Sequence, residues 1–231
     1  HDDAPLAIAI VVDASASMAK RFEDVRCATQ QLIASSNAED EFHIVVVGDT
    51  PRFTRDSSGD SSDQLQQTVA LLQPDGETAL WDSMMAGLNE LRSAAYERKA
   101  MIVISDGGDN RSRTTEHELK SVLKEASVQV YAVALYNPFA TRREEKLGPL
   151  ELDELTSVTG GRVISVRDRE ETLRAVTQIN RELRDEYVLG YYPKHAVHDG
   201  KWHKLRVTLD DRDHAGHLRI ITKKAYFQPA D

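Results

Sequence analysis

The stretch Val11-Val12-Asp13-Ala14-Ser15-Ala16-Ser17-Met18 closes an apolar run and then presents three hard oxygen donors, Asp13, Ser15 and Ser17, at alternate positions. Upstream, residues 6–12 are almost unbroken apolar, the pattern of a strand covered on both faces. Downstream, Met18, Phe22, Val25, Thr29 and Leu32 follow helical spacing. The three donors therefore lie on a strand-to-helix turn. Ligand sites of open α/β sheets form at such carboxyl ends of strands, and the start of the next helix adds unpaired N–H groups.

Three oxygens do not complete the shell of a divalent cation, since Mg²⁺ takes about six in an octahedron. Two other stretches offer more. Asp75-Gly76-Glu77-Thr78 precedes a helical pattern marked by Leu80, Met84, Leu88 and Leu91. A second buried-strand pattern, residues 100–104, runs straight into Ser105-Asp106-Gly107-Gly108-Asp109.

Together these loops resemble the metal-ion-dependent adhesion site of von Willebrand factor A-type domains. That pattern has Asp-x-Ser-x-Ser on one loop, a Thr on a second and an Asp opening an Asp-Gly turn on a third. Asp13, Ser15, Ser17, Thr78 and Asp106 fill the five positions. The resemblance implies that the serines and, in some states, the threonine bind the metal directly, while the aspartates mostly hold its water ligands. It also implies Mg²⁺ as the cofactor, with Mn²⁺ or Ca²⁺ as substitutes, and a partner protein whose Asp or Glu carboxylate takes the remaining position. The chemistry agrees, because Mg²⁺ accepts neutral hydroxyl donors when carboxylates stand behind them, and such a shell leaves the ion electrophilic. Two features weigh differently. Ser, Thr and Asp are also favoured helix caps, so Ser15, Ser17 and Thr78 have a purely structural explanation too. Glu77, directly before Thr78, departs from the commonest pattern and sets a carboxylate where it either repels an acidic ligand or folds onto the metal.

The rest of the chain continues the alternation of strand and helix. Strand patterns occur at 41–47, 128–135 and 162–166, with a short edge hairpin at 52–54 after Pro51, where proline is tolerated. Helical patterns fall around Leu65 and Val69, over 114–126, at Leu152 and Leu155 before Gly160-Gly161, and through Leu173, Val176, Ile179 and Leu183. Residues 55–63 read as a polar surface loop and residues 137–149 as a long loop, of a length that is often functional. This order gives a doubly wound, mainly parallel α/β sheet of Rossmann-like form flanked by helices. From Tyr187 the pattern changes to strands alone, with polar and apolar residues alternating over 202–209, as in an antiparallel sheet with one wet face. The expected division is a metal-binding domain at 5–185 and a C-terminal β extension at 186–231 packed on it. The Tyr-x-Leu-Gly-Tyr-Tyr-Pro and Asp-Gly-Lys-Trp-His-Lys of the extension are similar to a group of bacterial secreted A-related proteins, which implies an extracellular, periplasmic or cell-envelope setting.

Composition narrows the partners. The net charge is −9, and phosphate backbones are bound by Lys and Arg, so nucleic acid is not the expected ligand. The charge is uneven: residues 187–231 carry 8 Lys and Arg against 5 Asp, a net of +3 that leaves −12 for residues 1–186. An acidic domain favours cation capture. No run of about 18 apolar residues spans a membrane. The opening His1-Asp2-Asp3 has neither a starting Met nor a leader, so secretion is not legible there. Cys27 is alone and excludes an internal disulfide; a half-buried inert thiol is expected. His195, His198, His203, His214 and His217 cluster without cysteine partners and read as loop histidines more than a zinc site.

The leading expectation is a module, not an enzyme, that grips a partner's carboxylate through Mg²⁺. A metal-dependent hydrolase or phosphatase is the alternative, although aspartyl-phosphate enzymes resemble Asp-x-Asp and position 15 is Ser. Neither a Gly-x-Ser-x-Gly elbow nor a nucleotide-binding glycine loop is present. A third reading makes the metal a staple in a structural module.

Overall fold

Strand β1 (Ala7–Asp13) contains no polar residue until its last position, and all seven residues are buried. The computed structural model describes residues 4–54, 61–136, 141–186, 189–191, 199–208 and 220–228. β1 lies in the interior of a six-stranded sheet ordered β3-β2-β1-β4-β5-β6, with β2 (Glu41–Val47), β3 (Arg52–Phe53), β4 (Lys99–Ser105), β5 (Gln129–Leu135) and β6 (Val163–Val166). Only β3 is antiparallel, forming the edge hairpin after Pro51.

Both faces of β1 are packed, which explains why it has no polar alternation. Ile8, Ile10 and Val12 enter a core with α1 (Phe22–Ser35), α2 (Ser62–Leu71) and α6 (Arg169–Arg184). Ala7, Ala9 and Val11 face the opposite core, built with α3 (Leu80–Ser93), α4 (Glu116–Glu125) and α5 (Arg143–Ser157). Full burial of each Val, Leu or Ile contributes roughly 1.5–3 kcal/mol, so the two layers dominate stability. The chain winds outward from β1 to β2 on one side and from β4 to β6 on the other. The crevice between the carboxyl ends of β1 and β4 is therefore the point where strand order reverses, the usual place for a ligand.

The structure corrects the expected loop at 137–149. Residues 137–140 lie outside the described residues, but Arg143 opens a 15-residue helix that carries Pro149 inside it. Gly148-Pro149 looks like a helix break in sequence. Here Gly148 is buried against Gly107, and Leu152 and Leu155 are buried in the core, which outweighs the one hydrogen bond that proline cannot donate. The loop expected at 55–63 is also shorter, since Ser61 and Gln64 form a reciprocal cap that starts α2; residues 55–60 lie outside the description.

The C-terminal strands are shorter than the alternation suggests. β7 (Lys201–Lys204) and β8 (Ala225–Gln228) form a separate antiparallel pair. Residues 205–208 are irregular, as are 189–191, although strands are expected from Tyr187 onward. His195, His198, His214 and His217 lie outside the described residues. His203 bonds Asp199 at 3.0 Å and stacks on Tyr226. Cys27 is free and half-buried, as expected. Among the described residues no helix is long and apolar enough to cross a membrane.

Candidate metal centre

Asp13 ends β1 with a fully buried side chain, and both of its oxygens are engaged. The Ser15 backbone N–H donates to Oδ1 at 3.0 Å, and the Ser105 hydroxyl donates to Oδ2. Ser105, the last residue of β4, also accepts from the Gly107 N–H at 2.9 Å. The ends of β1 and β4 are thus joined through one hydroxyl.

A second connection runs outside the first. Ser17 donates its hydroxyl to Asp106 Oδ2 at 3.2 Å, and the Ser15 and Ser17 hydroxyl oxygens lie 3.1 Å apart. Since Ser17 has one hydroxyl proton, Ser15 is the donor between the two. Asp106 Oδ1 accepts from the Gly108 N–H at 3.1 Å. Neither serine behaves as a cap: Ser15 stands at the start of the 3-10 turn Ala16–Lys20 but its side chain accepts no N–H there.

Thr78 reaches the same place from the third loop. It is 4% exposed and lines, with Ser17 and Asp106, a cleft of about 360 Å³. Its backbone N–H donates to Asn110 Oδ1 at 2.9 Å, and its carbonyl accepts from the Asn110 and Arg111 N–H groups. Its hydroxyl makes no hydrogen bond among the described residues, and the cap position of α3 belongs to Ala79. The five residues singled out in sequence are thus brought to one crevice by three loops. The first and second loops are also joined by backbone, Ala16 N–H to Gly76 O at 3.0 Å and Asp75 N–H to Ala14 O at 2.8 Å.

Several contributors were not legible in sequence. Ser105 holds Asp13. Asp109 and Ser112 accept from the Trp81 and Asp82 N–H groups and so start α3, which has no cap of its own. Asp82 in turn accepts from the Arg113 and Thr114 N–H groups. The only sequence signal was the run of polar residues after β4. Glu77 turns its carboxylate to Arg111 at 3.3 Å, so a cation partner meets the unusual charge beside Thr78. Arg142, Glu144 and Glu145 at the start of α5 form the facing wall of the cleft.

The electrostatics ask for a cation. Burial, then the nearby Asp106 charge, raises the Asp13 carboxyl to about 6 from its ordinary value, and burial raises Asp106 in the same direction. Two buried carboxylates at one edge, with three hydroxyl oxygens in front of them, form an oxygen-only donor set suited to a hard divalent ion. These residues fit such an ion. Its charge would also offset the effect of burial that pushes both carboxyls up.

No curated protein matches the sequence, but solved structures share the fold. They include a von Willebrand factor type A protein from Catenulispora acidiphila (17% identity, TM-score 0.65, covering 80% of this chain and 43% of that one). An aerotolerance-related membrane protein from Bacteroides fragilis matches at 17% identity and TM-score 0.61, over 79% of this chain and 99% of that one. Proximal thread matrix protein 1 from the mussel byssus, in a structure with a zinc-occupied MIDAS motif, matches at 20% identity and TM-score 0.60, over 78% of this chain and 46% of that one. The chain spans less than half the length of the first and third of these. Residues 7–181 match the von Willebrand factor type A domain family, and with its sheet order and three converging loops the chain belongs to that family.

Proposed function

We propose that the chain is a divalent-cation-dependent protein-binding module. In this reading Ser15, Ser17 and Thr78 give oxygens to Mg²⁺, while Asp13 and Asp106 stand behind them and orient its water ligands. The observation that carries it is the bond from Ser17 to Asp106. With its proton committed to the carboxylate, the Ser17 oxygen keeps a lone pair for a cation, and Asp106 acts through the serine instead of binding first. Asp13, with both oxygens already accepting, is likewise a fixed negative charge behind the donors. When bound, the ion offers an electrophilic position that an Asp or Glu of a partner protein completes. Family members with this motif are metal-dependent interaction modules, which agrees with the geometry. The fold shared with a membrane protein supports an envelope or extracellular setting.

Calorimetric titration with Mg²⁺ and Mn²⁺ tests the site. Wild-type protein is expected to bind, and the Asp13→Ala, Ser17→Ala double variant to lose binding; unchanged affinity sinks the assignment.

The same proposal divides the chain into an interaction domain at 5–185 and an extension at 186–231 packed on it. A two-stranded ribbon is too small to be stable alone. Lys223 Nζ donates to the Ala126 carbonyl at 2.5 Å, and a Cβ at Gly160 would meet Lys223 N at 2.8 Å, contacts that support this packing. Truncation after Asp185 should lower the melting temperature; a truncated protein as heat-stable as the full chain would show an independent appendage.

A further inference from the structure

The wall of the cleft opposite the three loops is the first turn of α5, where Arg142, Glu144 and Glu145 face Ser17, Thr78 and Asp106. The helix is held there by backbone contact. A Cβ at Gly107 would lie 2.5 Å from the Gly148 carbonyl carbon, and one at Gly148 would lie 2.4 Å from that of Gly107. No side chain fits between the loop carrying Asp106 and the helix. One residue further along that loop, a Cβ at Gly108 would lie 3.5 Å from Glu145 N and 3.6 Å from the Glu144 carbonyl carbon. The two glutamates therefore start from backbone that already touches the candidate metal loop.

Arg142 lines the same wall but makes no ion pair with either glutamate among the described residues. Among the described residues no ion pair or hydrogen bond engages either carboxylate, although both residues are half-buried. Glu77 nearby has Arg111, and Asp82 and Asp109 accept N–H or hydroxyl groups. Both carboxylates keep part of their contact with water, and the cation proposed for this cleft is a charge within the same lining that either can pair with. The helix start also favours acidic residues through its dipole, but that effect does not require them to line the cleft.

We propose that Glu144 or Glu145 serves as an internal carboxylate for the bound cation, occupying the position that a partner's Asp or Glu must take. The proposal rests on the metal reading above. The unliganded module is then self-capped, and binding a partner means exchanging one carboxylate for another. The helix is built to permit that exchange. Its first turn has no side-chain cap at Arg142, and Pro149 cannot donate to the Glu145 carbonyl, so the segment before it is tied more weakly than the body anchored by Leu152 and Leu155. An internal competitor also sets a threshold, since only a partner with further contacts displaces it.

Mn²⁺ is the probe. Its affinity is read by the loss of the free-ion paramagnetic resonance signal, and its exchangeable inner waters by water-proton relaxation. The Glu144→Gln, Glu145→Gln variant should bind Mn²⁺ roughly tenfold more weakly, by analogy with lost metal-supporting groups, and each bound ion should gain about one exchangeable water, the position the carboxylate leaves in a shell of about six. Acetate should then displace that water in the variant at concentrations that leave the wild type unchanged. Weaker binding with an unchanged water count would mean that the glutamates act only through their charge, and would overturn the proposal; so would unchanged values of both. A Ser17→Ala control separates the two readings. Mn²⁺ binding that survives Ser17→Ala refutes the metal site itself, whereas binding that needs Ser17 but ignores both glutamates refutes only the internal cap. Circular dichroism verifies that the variants are folded.

Discussion

Asp13 and Asp40 are buried carboxylates at opposite ends of the same sheet, and they are treated differently. Asp40 stands just before β2. Its side chain is fully buried, accepts from the Leu6 and Asn37 N–H groups at 2.9 and 3.0 Å, and is paired with Arg184 of α6. Asp13, at the carboxyl end of β1, is as deeply buried but has only neutral N–H and hydroxyl donors around it, with a second carboxylate close by. At the amino end the fold supplies its own cation. At the carboxyl end it supplies none to Asp13, and it surrounds the deficit with hydroxyl oxygens. A pair such as Asp40–Arg184 fixes structure, whereas an unbalanced pair of carboxylates leaves room for a charge that comes and goes.

Breaking the balanced end should have the largest effect. Arg184→Met would leave Asp40 buried and uncompensated, which costs about 3–5 kcal/mol for pairs of this kind. Urea unfolding should show that loss equally with Mg²⁺ and with chelator, because the pair is remote from the cleft. A loss that Mg²⁺ restores would contradict the separation of the two ends.

The unbalanced end should appear in the pH dependence. The folded Asp13 carboxyl titrates at about 6, above its ordinary value of 3.8, so the native state holds the proton more tightly than the unfolded chain does. Its contribution is fully present below about pH 4 and is lost as pH rises through about 6, a fall on the order of 2–3 kcal/mol to which Asp106 adds in the same sense. Unfolding in chelator at pH 4 to 7 should show this decline superimposed on the general titration, and Asp13→Asn should flatten it. Saturating Mg²⁺ should flatten it too, because a cation holds the carboxylates ionised. A decline of the same size in Asp13→Asn would assign it elsewhere.

The two ends were also unequally legible in the sequence. The donors at the carboxyl end announce themselves by residue type: an apolar run that breaks into Asp-x-Ser-x-Ser has few structural explanations, and the same applies to Ser105-Asp106-Gly107. The doubly wound, mainly parallel sheet followed from alternating strand and helix patterns, whereas its strand order came only with the structure. What escaped reading depends on contacts between distant segments. Ser105 is an ordinary strand-end serine until Asp13 is placed beside it, and Asp109 matters because α3 lacks a cap at Ala79. Gly148-Pro149 argues for a loop unless Gly107 is known to press against it, so the wall carrying Glu144 and Glu145 was invisible. The pairing of Asp40 with Arg184 bridges 144 positions in the chain and leaves no local trace. In the C-terminal extension, alternation over 202–209 suggested a long strand. The partner segment 225–228 pairs with only four residues, and the pattern alone carries no information about partner length.

The smallest effect on stability should come from Thr78→Ala, and it sharpens the comparison most. The Thr78 hydroxyl makes no hydrogen bond among the described residues, and the groups that order its loop are its backbone N–H and carbonyl, held by Asn110 and Arg111, which the substitution leaves intact. Leu80 and Met84 remain packed in the core below. Removing the hydroxyl therefore deletes neither a structural bond nor much buried apolar surface, and unfolding in chelator should change by less than about 1 kcal/mol. If the hydroxyl is an inner donor, Mn²⁺ affinity should nevertheless fall by one to two powers of ten, roughly the range seen when groups supporting a metal are lost. The stabilisation that saturating Mg²⁺ gives the wild type, about 2.7 kcal/mol at a hundredfold excess over Kd, should shrink accordingly. A Thr78→Ala protein that loses stability in chelator as much as in Mg²⁺ would place Thr78 with Asp40, among the residues that hold the fold. One that loses only its response to the cation would place it with Asp13, on the side of the molecule that waits for a charge from outside.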